Sequence, residues 1–172
     1  MAGEIYRVLG TPVVWGNAIG GSIDEELDLG GADGDAGDVC VGSYHDWGSG
    51  AQPDGFILEV NVDGFTSAPT IGEVVATYIT ESDDATVWSG PEAPADTADS
   101  TGSVNRLPNL LGPFPAVVWS TTAGDNVTRR FEYQSTARYS APVVHNATAV
   151  ELLASGDAHT VTITPFWYQV QS

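Results

Sequence analysis

The feature that most constrains this chain is an alternation of apolar and polar residues with a period of two. The clearest example is the segment FILEVNVDGF, which ends in Asp63-Gly64, a strong turn signal. Its apolar face carries Phe56, Leu58, Val60 and Val62. Successive side chains of a β-strand point to opposite faces, so this pattern predicts a strand with one buried face.

Other segments repeat this pattern along the chain. They are SIDEELDL, GEVVATYITES, AVVWSTT, NVTRRFEYQ, ARYSAPVVH and HTVTITPFWYQVQS. Turn-forming sequences separate them, and the chain has 20 glycines and 10 prolines with which to build such turns. We find no helical crossovers of the kind that a parallel α/β sheet needs. The sequence therefore predicts an all-β protein, an antiparallel β-sandwich with jelly-roll-like connections.

Two places in this pattern leave alternatives open. The segment NATAVELLASG has apolar residues at helical spacing, and a short helix and an irregular turn fit it equally well. Pro165 lies inside the last strand segment and cannot donate a ladder hydrogen bond, which predicts an edge strand or a bulge. The apolar phase also changes there, from Val161 and Ile163 to Phe166 and Tyr168 on the opposite parity.

A chain of 172 residues is long enough to bury the core of one ordinary domain without disulfides. We predict a single β-sandwich domain over residues 1–172, which includes an N-terminal arm over about residues 1–20. Long loops are expected at about 30–38 and 83–103, where the sequence is rich in glycine, proline and aspartate. Loops of this length inside a compact domain are usually functional or disordered.

The charge balance excludes some partners. The chain has 23 acidic residues against 5 basic ones and a formal net charge of −18. Such a surface repels phosphate backbones and anionic lipids, so we expect no direct binding of nucleic acid or membrane. Two explanations of the acidity stay open: solubility, including life in a salty medium, and acidic loops that meet a basic or metal-bearing partner.

The first residues show no basic segment followed by an apolar core, which predicts a soluble protein that is not exported by the usual secretory route. The glycosylation patterns at Asn126 and Asn146 are then chance matches.

Motifs that carry catalytic chemistry are not found in the sequence. No window reads G-x-S-x-G, so a nucleophile elbow is excluded. Cys40 alternates with valines as a small strand residue would, and it has no second cysteine with which to pair. His45, His145 and His159 lie far apart in sequence and in none of the usual metal-binding spacings. We therefore expect a protein that is not an enzyme and needs no cofactor, and a hydrolase is the weakest alternative.

Aspartates form two candidate cation sites. The glycine-rich segment DLGGADGDAGD supplies Asp33, Asp35 and Asp38, which are weak candidates for calcium ligands because calcium prefers carboxylate and carbonyl oxygens. The spacing is not that of an EF-hand. Asp83 and Asp84 belong to a second acidic segment, where closely spaced aspartates more often form turns.

The chain also has five tryptophans, and exposed aromatic rings could stack on sugars in a carbohydrate-binding sandwich. Trp119 and Trp167 lie within predicted strands and are expected in the core. Trp47 and Trp88 lie beside turns and are the candidates for an exposed platform. A carbohydrate-binding module, with or without calcium, is therefore the alternative to a structural role.

Three segments in sequence order carry a family resemblance. They are APTIGEVVATYITESDDATVWSG followed by ADTADS, then RLPNLLGPFPAVV, then RRFEYQSTARYSAPVVHNATAVEL with DAHTVTITP. Together they cover roughly residues 68–170, and their order and spacing resemble small virion proteins of tailed bacteriophages. The aspartate-rich segment over residues 28–38 lies outside the part that carries the resemblance.

The resemblance implies a non-enzymatic, jelly-roll-like sandwich that is assembled in the host cytoplasm and attached to the capsid surface as a decoration, or cement, protein. The implied partners are the major capsid protein and further copies of the chain, as a homotrimer or homodimer. A role in the tail or portal region stays open. The expected contact residues are Asp83, Asp84, Trp88, Arg129 and Arg130, with an intramolecular salt bridge as the alternative role for the arginine pair.

Overall fold

The computed structural model describes residues 4–16, 25–29, 34–90, 94, 100–153 and 159–170. The regular secondary structure of these residues is β-strand, apart from 3-10 turns such as the one at Leu107–Asn109. The strands are β1 Ile5–Leu9, β2 Val13–Gly16, β3 Glu25–Glu26, β4 Val39–Val41, β5 His45–Asp46, β6 Gly55–Val62, β7 Val74–Ser82, β8 Ser100–Thr101, β9 Leu111–Val117, β10 Val127–Tyr133, β11 Tyr139–Asn146 and β12 Thr160–Val170. Among the described residues there is no helix with the length and hydropathy to span a bilayer.

The strands form two six-stranded sheets that pack face to face. Sheet A has the order β10-β6-β12-β2-β3, and β1 pairs with β12; sheet B has the order β8-β4-β11-β7-β9, and β5 pairs with β11. The strand pairs are antiparallel except β2 with β3, which run parallel. The predicted antiparallel sandwich is confirmed.

The main core lies between the sheets. Sheet A contributes the face predicted from the period of two, since Phe56, Leu58, Val60 and Val62 are all at most 1% exposed. Sheet B contributes residues that include Val75, Ile79 and Val144. Cys40 also lies in this core, as expected for a small strand residue. Burial of these apolar side chains is the main source of stability of such a sandwich.

A second cluster covers the outer face of sheet B. Val39, Val41 and Val143 have the opposite parity to the core residues of their strands, and they pack against Leu107 and Leu110 of the 3-10 segment. Sheet B is therefore buried on both faces here. This explains why the burial of β11 does not alternate along the strand.

Of the two interpretations of Pro165, the edge position is wrong, and a one-residue register shift lies beside it, where Gly10, Thr11 and Pro12 of the partner strand stand opposite Thr164 and Pro165. β12 is a central strand, and its register with β6 is continuous from Thr160 to Phe166, through Pro165. The carbonyl of Pro165 accepts a hydrogen bond of 2.8 Å from the N–H of Gly10, which lies between β1 and β2. The N–H and C=O groups of one strand residue point to the same neighbouring strand. The N–H that Pro165 lacks would therefore point to the gap between β1 and β2, where no strand residue needs it.

The expected N-terminal arm is instead part of the sandwich over residues 4–16. β1 and β2 both pair with β12, and Trp15 is fully buried with its indole N–H bonded to the Ser43 carbonyl at 2.7 Å. A buried tryptophan with a satisfied N–H fixes the chain at this position.

Two strand boundaries differ from the prediction. The strand expected over AVVWSTT is β9, which begins at Leu111 and ends at Val117. β9 contains Pro113 and Pro115, and it tolerates them because it lies at the end of sheet B, where an edge strand can lack ladder donors. The strand expected over SIDEELDL is limited to Glu25–Glu26 among the described residues, although Leu27 and Leu29, on one side of its apolar-polar alternation, are buried.

Of the two interpretations of NATAVELLASG, the described residues up to 153 adopt the irregular turn. The buried Asn146 side chain organises it: its amide donates to the carbonyls of Gly34 and Val150, both at 2.9 Å. Its carbonyl oxygen accepts the Thr148 hydroxyl at 2.7 Å. Asparagine side chains compete well with helical hydrogen bonds, so the turn is favoured over the helix. The amide is also enclosed, which excludes glycosylation of Asn146 in the folded protein.

We predict that Asn146→Ala lowers the free energy of unfolding by about 2–3 kcal/mol, because it leaves buried carbonyls and a hydroxyl without their partners. Chemical denaturation measures the change. Asn126→Ala is the matched control, since Asn126 is exposed, and it should change stability by at most about 0.5 kcal/mol. Equal effects of the two substitutions would contradict the structural role of Asn146.

Candidate functional site

A two-stranded ribbon extends sheet A beyond the sandwich. β1 pairs with residues 166–170 of β12 in five residue pairs, from Ile5 with Val170 to Leu9 with Phe166. β6 pairs with β12 only up to Phe166, so the last part of β12 continues past it. We call the paired segments Ile5–Leu9 and Phe166–Val170 the ribbon. An isolated two-stranded ribbon is marginally stable in water, so contacts on its faces matter to it.

The outer face of the ribbon is apolar and exposed. Residues opposite one another in an antiparallel pair share a face, which places Ile5, Leu9, Tyr168 and Val170 together. Their side chains are 70%, 51%, 54% and 66% exposed, respectively. A cluster of large apolar residues at this exposure typically marks an interaction surface.

Arg7 lies at the centre of this face. Its guanidinium stacks 5.0 Å from the ring centre of the buried Phe166 and forms an ion pair with Glu132 of β10. None of the residues of the ribbon is acidic, in a chain with 23 acidic residues. The outer face is therefore an apolar area with one locally neutralised cation, on an otherwise strongly acidic protein.

The ribbon also has an open backbone edge. The bond from Gly10 to Pro165 fixes the ladder, so alternate residues Ile5, Arg7 and Leu9 direct their N–H and C=O groups away from β12. No strand of the described residues pairs with this side of β1. Edge strands of natural proteins usually carry charges or prolines that prevent pairing, and this edge carries only Arg7.

After β7 the chain turns back, with the Ser89 N–H bonded to the Glu81 carbonyl at 2.7 Å, and we call residues 81–89 the hairpin; its turn is built by Asp84. Its carboxylate accepts the backbone N–H groups of Thr86 at 2.8 Å and Val87 at 2.9 Å, and these bonds lower the pKa of Asp84 well below its usual range. Asp84 is thus a turn former. Asp83 is exposed, and Trp88 is half-buried with its ring centre 5.5 Å from that of Tyr44.

The rest of the predicted 83–103 loop is only partly described. Val87, at the tip of the hairpin, is 75% exposed. Ser100–Thr101 form β8 and pair with β4, so the segment returns to sheet B before residue 103. Residues 91–93 and 95–99, which include Asp96 and Asp99, lie outside the described residues.

The aspartates considered for calcium are not brought together in the described chain. Asp35 is exposed, and its carbonyl accepts the N–H of Asp38 at 3.1 Å, which forms a local turn. Asp33 lies outside the described residues. Within the described ranges no three His, Cys, Asp or Glu side chains converge on a common point. A calcium site that includes Asp33 stays a prediction.

Arg129 and Arg130 lie on β10, at the end of sheet A, and both are exposed. The Arg129 guanidinium donates to the neighbouring Thr128 carbonyl at 2.9 Å. Among the described residues neither arginine forms an ion pair, so the expected intramolecular salt bridge is not found there. Their role as partner contacts stays a prediction.

The tryptophans are distributed differently from the prediction. Trp119, expected in the core, follows the end of β9 and is 55% exposed. Trp47, expected to be exposed, is half-buried against the core and donates its indole N–H to the Ser140 hydroxyl at 2.8 Å. Trp167 is half-buried on the inner face of the ribbon. Trp47 and Trp88 therefore do not form one exposed platform.

A cleft of about 510 Å³ opens between the inner face of the ribbon and the end of sheet B. Trp47 and Trp167 line it, with Glu25, His45 and Asp46 as its charged or titratable side chains. Sequence reasoning did not find this site, because its members come from four strands far apart in the chain. The only local signal is that IYRVL and PFWYQV have apolar residues on both faces of the strand. A strand with one face in solvent would have polar residues on that face.

A second polar group lies beneath the hairpin. Glu81 of β7 is half-buried, and one of its carboxylate oxygens is enclosed without a hydrogen-bond partner among the described residues. Burial raises the pKa of Glu81, and the charge of Asp83 raises it further, while a hydrogen bond with Ser135 opposes the shift. Burial and the charge of Glu81 raise the pKa of Tyr133. The ionised form of Glu81 is thus disfavoured in the folded state.

We predict that Glu81→Gln stabilises the protein at pH 7 and that this advantage disappears near pH 4. The folded-state pKa of Glu81 lies above its unfolded value of about 4.3, so the penalty is absent below that value and grows as the pH rises through the folded pKa. Thermal unfolding of both proteins from pH 4 to 7 measures the difference.

Glu59→Gln, at an exposed position of β6, is the control and should show no such rise with pH. A stability difference between Glu81→Gln and the parent protein that stays constant from pH 4 to 7 would contradict the burial of this carboxylate.

No family model matches this chain, and comparison with curated proteins and with solved structures finds no similar protein.

Proposed function

We propose that this protein is a structural component of a virion, which binds the outer surface of a tailed-phage capsid as a decoration protein and stabilises the shell. The observation that carries the proposal is the outer face of the ribbon, with Ile5, Leu9, Tyr168 and Val170 exposed and no acidic residue among them. Attachment to a lattice needs a surface of this kind, apolar and available without rearrangement of the core.

The strand order supports a jelly-roll interpretation of the sandwich. Strands β10-β6-β12-β2 of sheet A lie opposite β4-β11-β7-β9 of sheet B, and the chain crosses between the sheets at each of these steps except from β7 to β9. Two interleaved four-stranded sheets are typical of jelly rolls, which occur in viral capsid proteins and in lectins. This support is an analogy of fold, and the surface features carry the functional argument.

The distribution of charge favours attachment through the ribbon. A net charge of −18 keeps free copies apart in solution and opposes contact with acidic surfaces. The ribbon itself carries no carboxylate, and Glu132 beside it is already paired with Arg7, so a partner can approach at a low cost of desolvation. We place the capsid contact there in preference to the hairpin of Asp83 and Asp84, whose carboxylates face solvent or close the turn.

The proposal includes partners and location. The partner is the major capsid protein, and further copies of the chain can meet around the symmetry axes of the lattice. The protein would be assembled in the host cytoplasm and located on the virion surface. The open edge of β1 gives a capsid strand a backbone to pair with, in addition to the apolar face.

We predict that Leu9→Glu and Tyr168→Glu, singly, reduce binding to isolated capsids by at least about tenfold, because each places a charge in the apolar contact. Co-sedimentation with purified capsids and the heat resistance of the loaded shells measure the effect. Both side chains are more than half exposed, so the variants should fold with parental unfolding temperatures.

Val87→Glu at the tip of the hairpin is the matched control, an apolar-to-acidic change at a residue that is 75% exposed. It should leave capsid binding unchanged. If Val87→Glu abolishes binding and the ribbon variants do not, the hairpin is the contact and the ribbon is not. If the parent protein does not bind capsids at all, the decoration role is wrong.

A further inference from the structure

The cleft under the inner face of the ribbon has two contrasting walls. One wall is apolar and rigid: Trp47 and Trp167 are accompanied by Pro12, Pro53 and Pro165. Rings and prolines lose little conformational entropy when a ligand binds, so such a wall is suited to a flat apolar surface. A volume of about 510 Å³ lies within the range of small-molecule sites.

The other wall is polar and held in place by hydrogen bonds. The carboxylate of Glu25 accepts the Ser43 hydroxyl at 3.0 Å through one oxygen and faces His45 Nδ1 at 2.8 Å through the other. Asp46 receives the Arg138 guanidinium through both oxygens, at 2.8 Å and 2.6 Å. These contacts lower the pKa of Asp46 and keep its carboxylate ionised.

The partners of Glu25 and Asp46 indicate that a ligand of the cleft is uncharged. Asp46 is already neutralised by Arg138, and Glu25 already has one partner at each oxygen. A cationic ligand would have to compete with these partners for the carboxylates. A neutral hydroxyl has no such conflict, because each carboxylate oxygen can accept a second hydrogen bond.

The requirement is therefore a neutral molecule with an apolar flat face and several hydroxyl groups at its rim. A sugar ring has both properties, since its C–H groups stack on indole rings and its hydroxyls donate to carboxylates. Aromatic surface together with a few fixed polar groups is the general composition of small-ligand sites.

We propose that the cleft lined by Trp47, Trp167, Glu25 and His45 is a saccharide-binding site. Stacking on the Trp167 indole provides the affinity, Trp47 contributes apolar surface, and Glu25 with His45 orients the hydroxyl groups. This function is separate from the capsid attachment proposed above: Trp167 faces the cleft, whereas Tyr168 belongs to the outer face of the ribbon. A virion protein with both sites would hold the shell with one face of the ribbon and a glycan with the other.

The experiment titrates the purified protein with a panel of neutral sugars, namely glucose, galactose, mannose, N-acetylglucosamine and their disaccharides, and follows binding by calorimetry and tryptophan fluorescence. We expect at least one sugar to bind with a dissociation constant of about 1 mM or lower. Trp167→Ala should weaken it by about tenfold or more.

Glu25→Gln provides a second variant that keeps the shape of the side chain. It should weaken binding of the same sugar while the unfolding temperature shows that the fold persists. Trp119→Ala is the matched control, because Trp119 is exposed and lies outside the cleft. It should leave sugar affinity unchanged.

Three results would overturn the proposal. The first is the absence of binding across the panel at concentrations of about 10 mM. The second is equal loss of affinity in Trp119→Ala and Trp167→Ala. The third is binding of an oligolysine peptide, but of no sugar, in a manner that depends on Trp167, which would make the cleft a cation site. Capsid binding is measured separately, so failure of either function is recognised independently.

Discussion

The fold of this protein depends on one strand, β12, and on the proline within it. β12 pairs with β6 along one side and with β2 and then β1 along the other. Pro165 offers no N–H on the second side, so the ladder has to change partner there. Gly10 fits this crossing because a Cβ at that position would lie 2.8 Å from the Trp167 ring and 2.9 Å from the Pro165 ring. The close approach of backbone to rings permits the chain to leave β1 and enter β2.

Both proposed sites follow from this change of partner. Before Pro165, alternate residues of β12 such as Val161 and Ile163 face the core. After Pro165 the same alternation continues, so Trp167 lies on the same face of the strand and lines the cleft. The outer parity carries Tyr168 and Val170 into solvent, opposite Arg7 and Ile5 of β1. Because the register with β6 continues without a bulge, the two faces of the ribbon are direct continuations of the two faces of sheet A. The sandwich thus provides a rigid base for a ribbon that would be marginal alone.

The sequence predicted what is local and missed what depends on pairing. The period of two identified the buried face of β6 and the all-β class, because strand alternation is written in neighbouring residues. Trp119 was misplaced because the strand predicted at AVVWSTT ends at Val117. It begins earlier, within LGPFPAV, whose prolines are tolerable only at the edge position of β9. The contact of Glu25 with His45 joins strands of different sheets, so no spacing along the chain could indicate it.

The charges on the two edges of sheet A relate the acidity of the chain to the proposed attachment. At the far end of sheet A, β10 carries Arg129, Arg130 and Glu132, exposed charges of the kind that discourage a second chain from pairing. β1 has one arginine, and Glu132 neutralises it. Between free copies, repulsion from a charge of −18 opposes approach, and salt screens it beyond about 8–10 Å. Repulsion between copies that come within this distance therefore protects an edge that has little local protection. In the proposed attachment, a less acidic partner of larger area would overcome this repulsion by contact with the apolar face, and the charge that opposes contact between free copies in solution would leave the ribbon available for the capsid.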